Sequence, residues 1–174
     1  EAVLADKSID VVVIASPTDT HSDLIHRAAA AGKHIFCEKP VDLSVPRAVD
    51  CAAAVKAAGV ACMIGFQRRF DPTFAEAQAR LSRGEIGAPE MLVITSRDPG
   101  APPAHYLEAS GGIFRDMLIH DFDIFRWVLC HDGDEAATLY ATGSVLVDPE
   151  IAKVPDIDSS VVTIRTKKGR LAQI

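Results

Sequence analysis

The first third of the chain alternates short apolar, strand-like runs with Ala-rich helical patterns, and this constrains the fold more than any other feature. Ile9-Asp10-Val11-Val12-Val13-Ile14-Ala15 reads as a strand apolar on both faces, of the kind a parallel sheet buries. A helix is predicted after Asp19-Thr20-His21-Ser22, running through Leu24, Ile25, Ala28 and Ala29 and stopping at Gly32. Lys33 to Cys37 is the next strand, Ser44 to Ala58 a second helix ending at Gly59, and Val60 to Phe66 a third strand. Strand-helix-strand-helix-strand with short connections predicts a parallel sheet with crossover helices. Ligands of such sheets bind beyond the carboxyl ends of the strands. Those ends carry Ser16-Pro17-Thr18, Glu38-Lys39-Pro40 and Gln67-Arg68-Arg69.

The pattern changes near residue 70, which divides a predicted first domain, 1–70, from a second, 71–174. Thr73 to Arg83 is a polar helix ending at Gly84, and Met91 to Ser96 is a strand. Asp98 to Pro103 is a Pro-rich loop at the rim of a site. Gly111-Gly112 precedes one long amphipathic helix from Ile113 to about Leu129. Strands follow at Ala137 to Val147 and Ser159 to Thr166, with a hairpin turn at Lys167 to Arg170 and a last strand from Leu171. This predicts an α+β domain on an antiparallel sheet.

Composition narrows the function classes. Hydrophobic residues make up 48% of the chain and charged residues 24%, as in globular proteins. The formal charge of -6 argues against a broad nucleic-acid or membrane surface. The longest apolar run, around Val11 to Ala15, is far short of the roughly 20 residues of a membrane span. The chain opens on what reads as the tail of a helix, without signal peptide or initiator Met, and is expected to start inside a longer protein. Cys37, Cys51, Cys62 and Cys130 form no Cys-x-x-Cys pair and read as free thiols of a cytoplasmic protein.

Three constellations carry chemistry. Lys39, in Glu38-Lys39-Pro40, can point an ammonium into the ligand crevice and polarise a hydroxyl or carbonyl oxygen, or it can be an ordinary solvated lysine before a turn proline. Asp116 and His120 are four residues apart and would share a helix face, a carboxylate orienting an imidazole, with Ile113, Met117 and Ile124 as apolar neighbours. The pair could also be a buried structural one. A metal site recruiting His120, Asp116, Asp123 and His105 competes, but the downstream spacing of common zinc motifs is missing. Arg68 and Arg69 could contact a carboxylate, phosphate or polyol, or make a salt bridge to Asp71 or Glu76. Of the remaining histidines only His21, which follows a strand-end loop, stands out.

Together, Val12 to His21, Ala31 to Pro40, Gly65 to Asp71 and Gly112 to Asp123 resemble the glucose-fructose oxidoreductase / inositol dehydrogenase / rhizopine catabolism family. The likeness covers essentially the whole chain, and Phe114 to Asp123 is most similar to the inositol 2-dehydrogenase branch. The resemblance implies a partial Rossmann-type parallel sheet whose first βαβ unit is missing, then an α+β domain with an open, mainly antiparallel sheet. It implies a cofactor, NAD or NADP with NAD favoured, and oxidation of a secondary alcohol of a cyclic polyol or sugar, without a metal. Lys39, Asp116 and His120 would be the catalytic trio. Ala15, Ser16, Pro17, Thr18, His21, Glu38, Lys39 and Arg68 would lie along the cofactor, and Lys39, Arg68, Asp116 and His120 around the substrate. A homo-oligomer, dimer or tetramer, would form through the C-terminal sheet. The family's Gly-rich fingerprint and ribose-reading acid precede the position of Glu1, so the choice between NAD and NADP is not legible here. The competing readings are a family member acting on another sugar and a non-catalytic piece that only oligomerises.

Overall fold

The computed structural model describes residues 2–100 and 102–174, and of these the side chains of Ala104, His105 and Glu108 lie outside the description. The chain divides into two compact units, one running to Phe66 and including Ala109–Gly111, the other Gln67–Glu108 with Gly112–Ile174.

In the first unit a short helix, α1 (Ala2–Ala5), precedes β1 (Val11–Ile14), α2 (His21–Ala30), β2 (His34–Cys37), α3 (Val45–Ala58) and β3 (Cys62–Ile64). The strands form a parallel sheet in the order β1-β2-β3, with Val12 beside Ile35 and Ile35 beside Cys62. The helices end where the sequence puts glycine. Gly32 and Gly59 take φ of 69° and 66°, the left-handed region that stops a helix without a Cβ penalty. Pro46 occupies the first turn of α3, where an N–H would be unpaired anyway.

Ile14, Ile25, Ala28, Ala29, Ile35, Cys37 and Cys51 form the core between the sheet and its helices. Fully burying a side chain such as Ile25 contributes about 1.5–3 kcal/mol. The expectation that β1 is covered on both faces is corrected. Val12 and Ile14 lie on the helix-covered side, whereas Val11 and Val13 are 53% and 69% exposed. Among the described residues α2 and α3 cover one face only. The buried Lys33 donates to the carbonyls of Asp6 and Ile9 at 2.7 and 2.8 Å, capping the turn that leads into β1.

The second unit opens with a 3-10 turn at Gln67–Phe70, then α4 (Pro72–Ser82) and β4 (Met91–Val93). The Asp71 carboxylate caps α4 by accepting from the N–H groups of Thr73 and Phe74 at 2.9 and 3.2 Å. An unexpected helix, α5 (Ala104–Ser110), follows, and where one helix was expected from Ile113 to Leu129 the structure has two, α6 (Gly112–Asp116) and α7 (Leu118–Leu129). The break at Met117 is a tightened turn. Met117 stays right-handed at φ -91° and ψ -60°, and the His120 N–H reaches back to the Met117 carbonyl at 3.2 Å.

β5 (Ala136–Ser144), β6 (Ser159–Thr166) and β7 (Leu171–Gln173) complete a sheet ordered β4-β7-β6-β5. β5-β6 and β6-β7 are antiparallel, while β4 joins β7 in parallel, so the sheet is mainly antiparallel. α7 packs Leu118, Phe125 and Leu129 with Val162, Ile164 and Ala172 of the sheet. Its last turn is held by Arg170, which donates to the Leu129 carbonyl at 2.5 Å and forms a two-pronged pair with Asp132 at 2.9 and 2.8 Å. No helix among the described residues is long and apolar enough to cross a membrane.

The connection before β6 is organised by Asp158. Its carboxylate accepts from the N–H groups of Leu146, Val147 and Asp148, each at 2.9 Å, and from the Ser159 hydroxyl at 2.8 Å. These donors, the Leu146 N–H foremost, hold the carboxyl well below the usual carboxylate range. A depressed carboxyl stabilises the fold above its unfolded value of about 3.9, and the contribution is lost as pH falls below it. Protection of the Leu146, Val147 and Asp148 amides against hydrogen exchange is therefore expected to be steady above about pH 5 and to fall below about pH 4. Unchanged protection at about pH 2 would show that another group holds this loop.

Candidate active site

The parallel ladder of the first unit continues past the ends of its strands and aligns the predicted site residues. The Glu38 N–H donates to the Ile14 carbonyl at 2.9 Å, and the Gly65 N–H to the Cys37 carbonyl at 2.8 Å. The loop after Ile14, the Glu38-Lys39 pair and Gly65 thus follow three adjacent, hydrogen-bonded strand ends. A Cβ on Gly65 would stand 3.0 Å from the Glu38 carboxyl carbon and from both its oxygens, so the missing side chain leaves room for that carboxylate to lie over the end of β3. Lys39 is joined to Pro40 by a cis peptide bond.

Ser16, Pro17 and Thr18 form a compact turn. The Ser16 and Thr20 hydroxyls are 2.5 Å apart, and the Thr20 hydroxyl donates to the Pro17 carbonyl at 2.7 Å. His21, at the start of α2, is 1% exposed. Its Nδ1 lies 2.7 Å from the Pro40 carbonyl oxygen and its Nε2 2.8 Å from that of Ser16. The ring therefore spans the first and second strand-end loops. Cys37 beneath them is buried, and burial pushes its thiol up to about 12, so it stays protonated and unreactive.

In the second unit Asp116 ends α6 and His120, 9% exposed, lies in the first turn of α7. The Tyr106 hydroxyl donates to Asp116 Oδ1 at 3.0 Å. Burial first, and then the Asp116 carboxylate, push the Tyr106 phenol above its ordinary value. α6 begins at Gly112, whose φ of 76° is closed to most side chains. Asp156 Oδ1 accepts from the Ile113 N–H at 3.2 Å, and a Cβ on Gly112 would come within 2.6 Å of that oxygen.

The arginine pair finds partners far along the chain, not Asp71 or Glu76. Arg68 Nη1 donates to Asp121 Oδ1, and the Ser96 hydroxyl donates to the same oxygen at 2.7 Å. Arg69 makes a two-pronged pair with Asp123 at 2.7 Å on both arms, its guanidinium 5.4 Å from the Trp127 ring centre. Asp71 caps α4, and Glu76 pairs with Arg80 at 3.0 Å. Ser96, Tyr106 and Asp156 were not among the sequence candidates, since nothing local marks a residue that bonds a partner 10 to 43 positions away. Of the residues weighed for a metal, the His105 side chain lies outside the described residues.

In a parallel sheet of this kind a ligand binds beyond the carboxyl ends of the strands, where Ser16, Glu38 and Lys39 lie. Residues 1–66 match the description "Oxidoreductase family, NAD-binding Rossmann fold", and residues 74–174 match "GFO/IDH/MocA C-terminal domain". The chain belongs to the GFO/IDH/MocA oxidoreductase family. It is 49% identical over its whole length to an inositol 2-dehydrogenase of Rhizobium meliloti, covering 52% of that protein. A solved myo-inositol dehydrogenase of Corynebacterium glutamicum superposes with a TM-score of 0.90 at 44% identity, over 99% of this chain and 51% of the other. The scyllo-inositol dehydrogenase of Lactobacillus casei with bound NAD(H) and scyllo-inositol gives a TM-score of 0.87 at 29% identity, over 99% of this chain and 52% of the other. The chain spans about half the length of the relatives it matches.

Proposed function

We propose that the whole enzyme transfers a hydride between a nicotinamide cofactor, NAD in preference to NADP, and a secondary alcohol of a cyclic polyol such as myo-inositol. The observation carrying this reading is the 49% identity of the chain, over a span that includes Lys39, Asp116 and His120, with 52% of an inositol 2-dehydrogenase. The strand ends fit the cofactor's needs. Gly65 leaves the Glu38 carboxylate room to accept from hydroxyls, and the Ser16-Pro17-Thr18 turn after Ala15 is braced by His21. Ala15, Ser16, Pro17, Thr18, Glu38 and Lys39 would line the cofactor, with His21 holding the loops.

The bound nicotinamide supplies a hydride acceptor, and this chain's residues manage the proton. His120 takes the proton of the reacting hydroxyl, Asp116 orients the ring and stabilises its cationic form, and Lys39 donates to the reacting oxygen. Tyr106 holds the Asp116 carboxylate on the side of its Oδ1. The test follows absorbance of the reduced cofactor with NAD and myo-inositol, scyllo-inositol or glucose. The expected result is NAD reduction fastest with an inositol. No reduction with any cyclic polyol would remove the proposal.

One surface supports self-association. Met91, Val93, Leu139, Tyr140 and Leu171, all exposed, lie on the sheet of the second unit around an open depression of about 350 Å³. An apolar sheet face of this kind is a natural interface between copies of the chain. Leu139→Asp is expected to shift the sedimentation profile toward monomer, and an unchanged profile would exclude this face.

A further inference from the structure

The arginine that the sequence offers as a ligand contact spends one guanidinium nitrogen, Nη1, on residues of its own chain. Arg68, Ser96 and Asp121 come from the 3-10 turn at Gln67–Phe70, the segment after β4, and the first turn of α7. Asp121 is 0% exposed. Its Oδ1 receives both the Arg68 guanidinium and the Ser96 hydroxyl, and Arg68 Nη1 also lies 3.4 Å from Ser96 Oγ. Its Oδ2 is buried and has no hydrogen-bond partner among the described residues. Compensation for this buried charge therefore converges on Oδ1, and its ion-pair partner is Arg68. A buried carboxylate deprived of its cation is costly enough for the surrounding backbone to shift. The residue before Asp121 is His120.

We propose that Arg68, Ser96 and Asp121 form a positioning unit that sets the first turn of α7, and with it the His120 ring. Arg68 then acts on the reaction through Asp121 and not by touching cofactor or substrate. This rests on the proposed role of His120 as base and deepens it. The positive end of α7 favours the Asp121 carboxylate where it stands. A displacement of about 1 Å at a catalytic group is enough to cost roughly 10²-fold in rate, so a brace on the adjacent residue has a kinetic signature.

The test is a double-mutant cycle in the whole enzyme with Arg68→Met, Asp121→Asn and the combination. Each single change is expected to lower kcat about 10- to 100-fold, with KM for the polyol and Kd for NAD within about threefold of wild type. The double variant, relieved of the unpaired charge, is expected to be no worse than either single one. Losses that multiply in the double variant would overturn the proposal. So would an Arg68→Met loss that appears in KM or Kd with kcat intact, because Arg68 would then be touching a ligand. Should Arg68→Met not fold, Arg68→Gln closes the same cycle with the same outcomes. Hydrogen exchange of peptides spanning 117–122 needs no activity. Faster exchange there in the single variants, restored in the double, supports the brace even if no polyol is oxidised. Exchange unchanged by Arg68→Met would overturn it.

Discussion

His120→Ala is expected to lower kcat for polyol oxidation about 100-fold or more while leaving the NAD dissociation constant within about twofold. A general base acts on the transition state, so its loss falls on kcat, and orientation of cofactor and alcohol by the rest of the site persists. On the proposed role only a neutral ring takes the proton, so the oxidation rate is expected to rise with pH in the wild type and not in the variant. Asp116→Asn should keep the fold, because the Tyr106 hydroxyl can still donate to the amide oxygen. On the proposed pairing of Asp116 with His120, it should move the rising limb to lower pH, since a carboxylate beside the ring favours its cation. Steady-state kinetics from acid to alkaline pH decide the matter. If His120→Ala keeps most of the wild-type rate, another residue takes the proton, and Lys39 becomes the candidate.

Gly112→Ala is expected to destabilise the second unit by about 2–3 kcal/mol, from left-handed backbone strain together with displacement of Asp156. At φ 76° the added Cβ would stand 2.6 Å from Asp156 Oδ1, the atom that caps α6 through the Ile113 N–H. Moving the Asp156 side chain aside breaks the cap of the helix that ends in Asp116. A fall in melting temperature of roughly 5–10 °C should accompany it. Asp156→Ala alone should cost only about 1 kcal/mol, as the loss of one cap does. Thermal unfolding of both variants separates backbone strain from capping. A Gly112→Ala protein as stable as wild type would mean that α6 can start in another conformation.

What could be read along the chain is what short-range rules govern. Gly32, Gly59 and Gly84 each stop a helix at positive φ where predicted, because a left-handed residue without a Cβ is a local requirement. The β-branched run at Val11–Ile14 and the apolar run at His34–Cys37, parted by an Ala-rich helix, dictate parallel pairing, since a crossover of that length leaves no hairpin. The motif strings also carried the family, and with it the trio now proposed as catalytic.

The break of the expected long helix at Met117 had no such signal. Methionine is a good helix former, and Ile113 to Leu129 keeps a helical period, yet the structure tightens the turn just before His120. The partners of Arg68 and Arg69 were out of reach in the same way. Spacing offered Asp71 and Glu76, but Asp121 and Asp123 lie 53 and 54 residues further on. His21 was noticed for its place after a strand, while its bridging of the Ser16 and Pro40 carbonyls follows from bringing β1 and β2 side by side. By itself, then, the amino-acid sequence determined the strand-helix alternation of the first unit and its parallel pairing, because these depend on backbone sterics and periodicity within a few positions. The tertiary structure alone decided which charges are neutralised inside and which side chains hold others in place, because a buried carboxylate takes the cation that packing brings to it, whatever its distance along the chain.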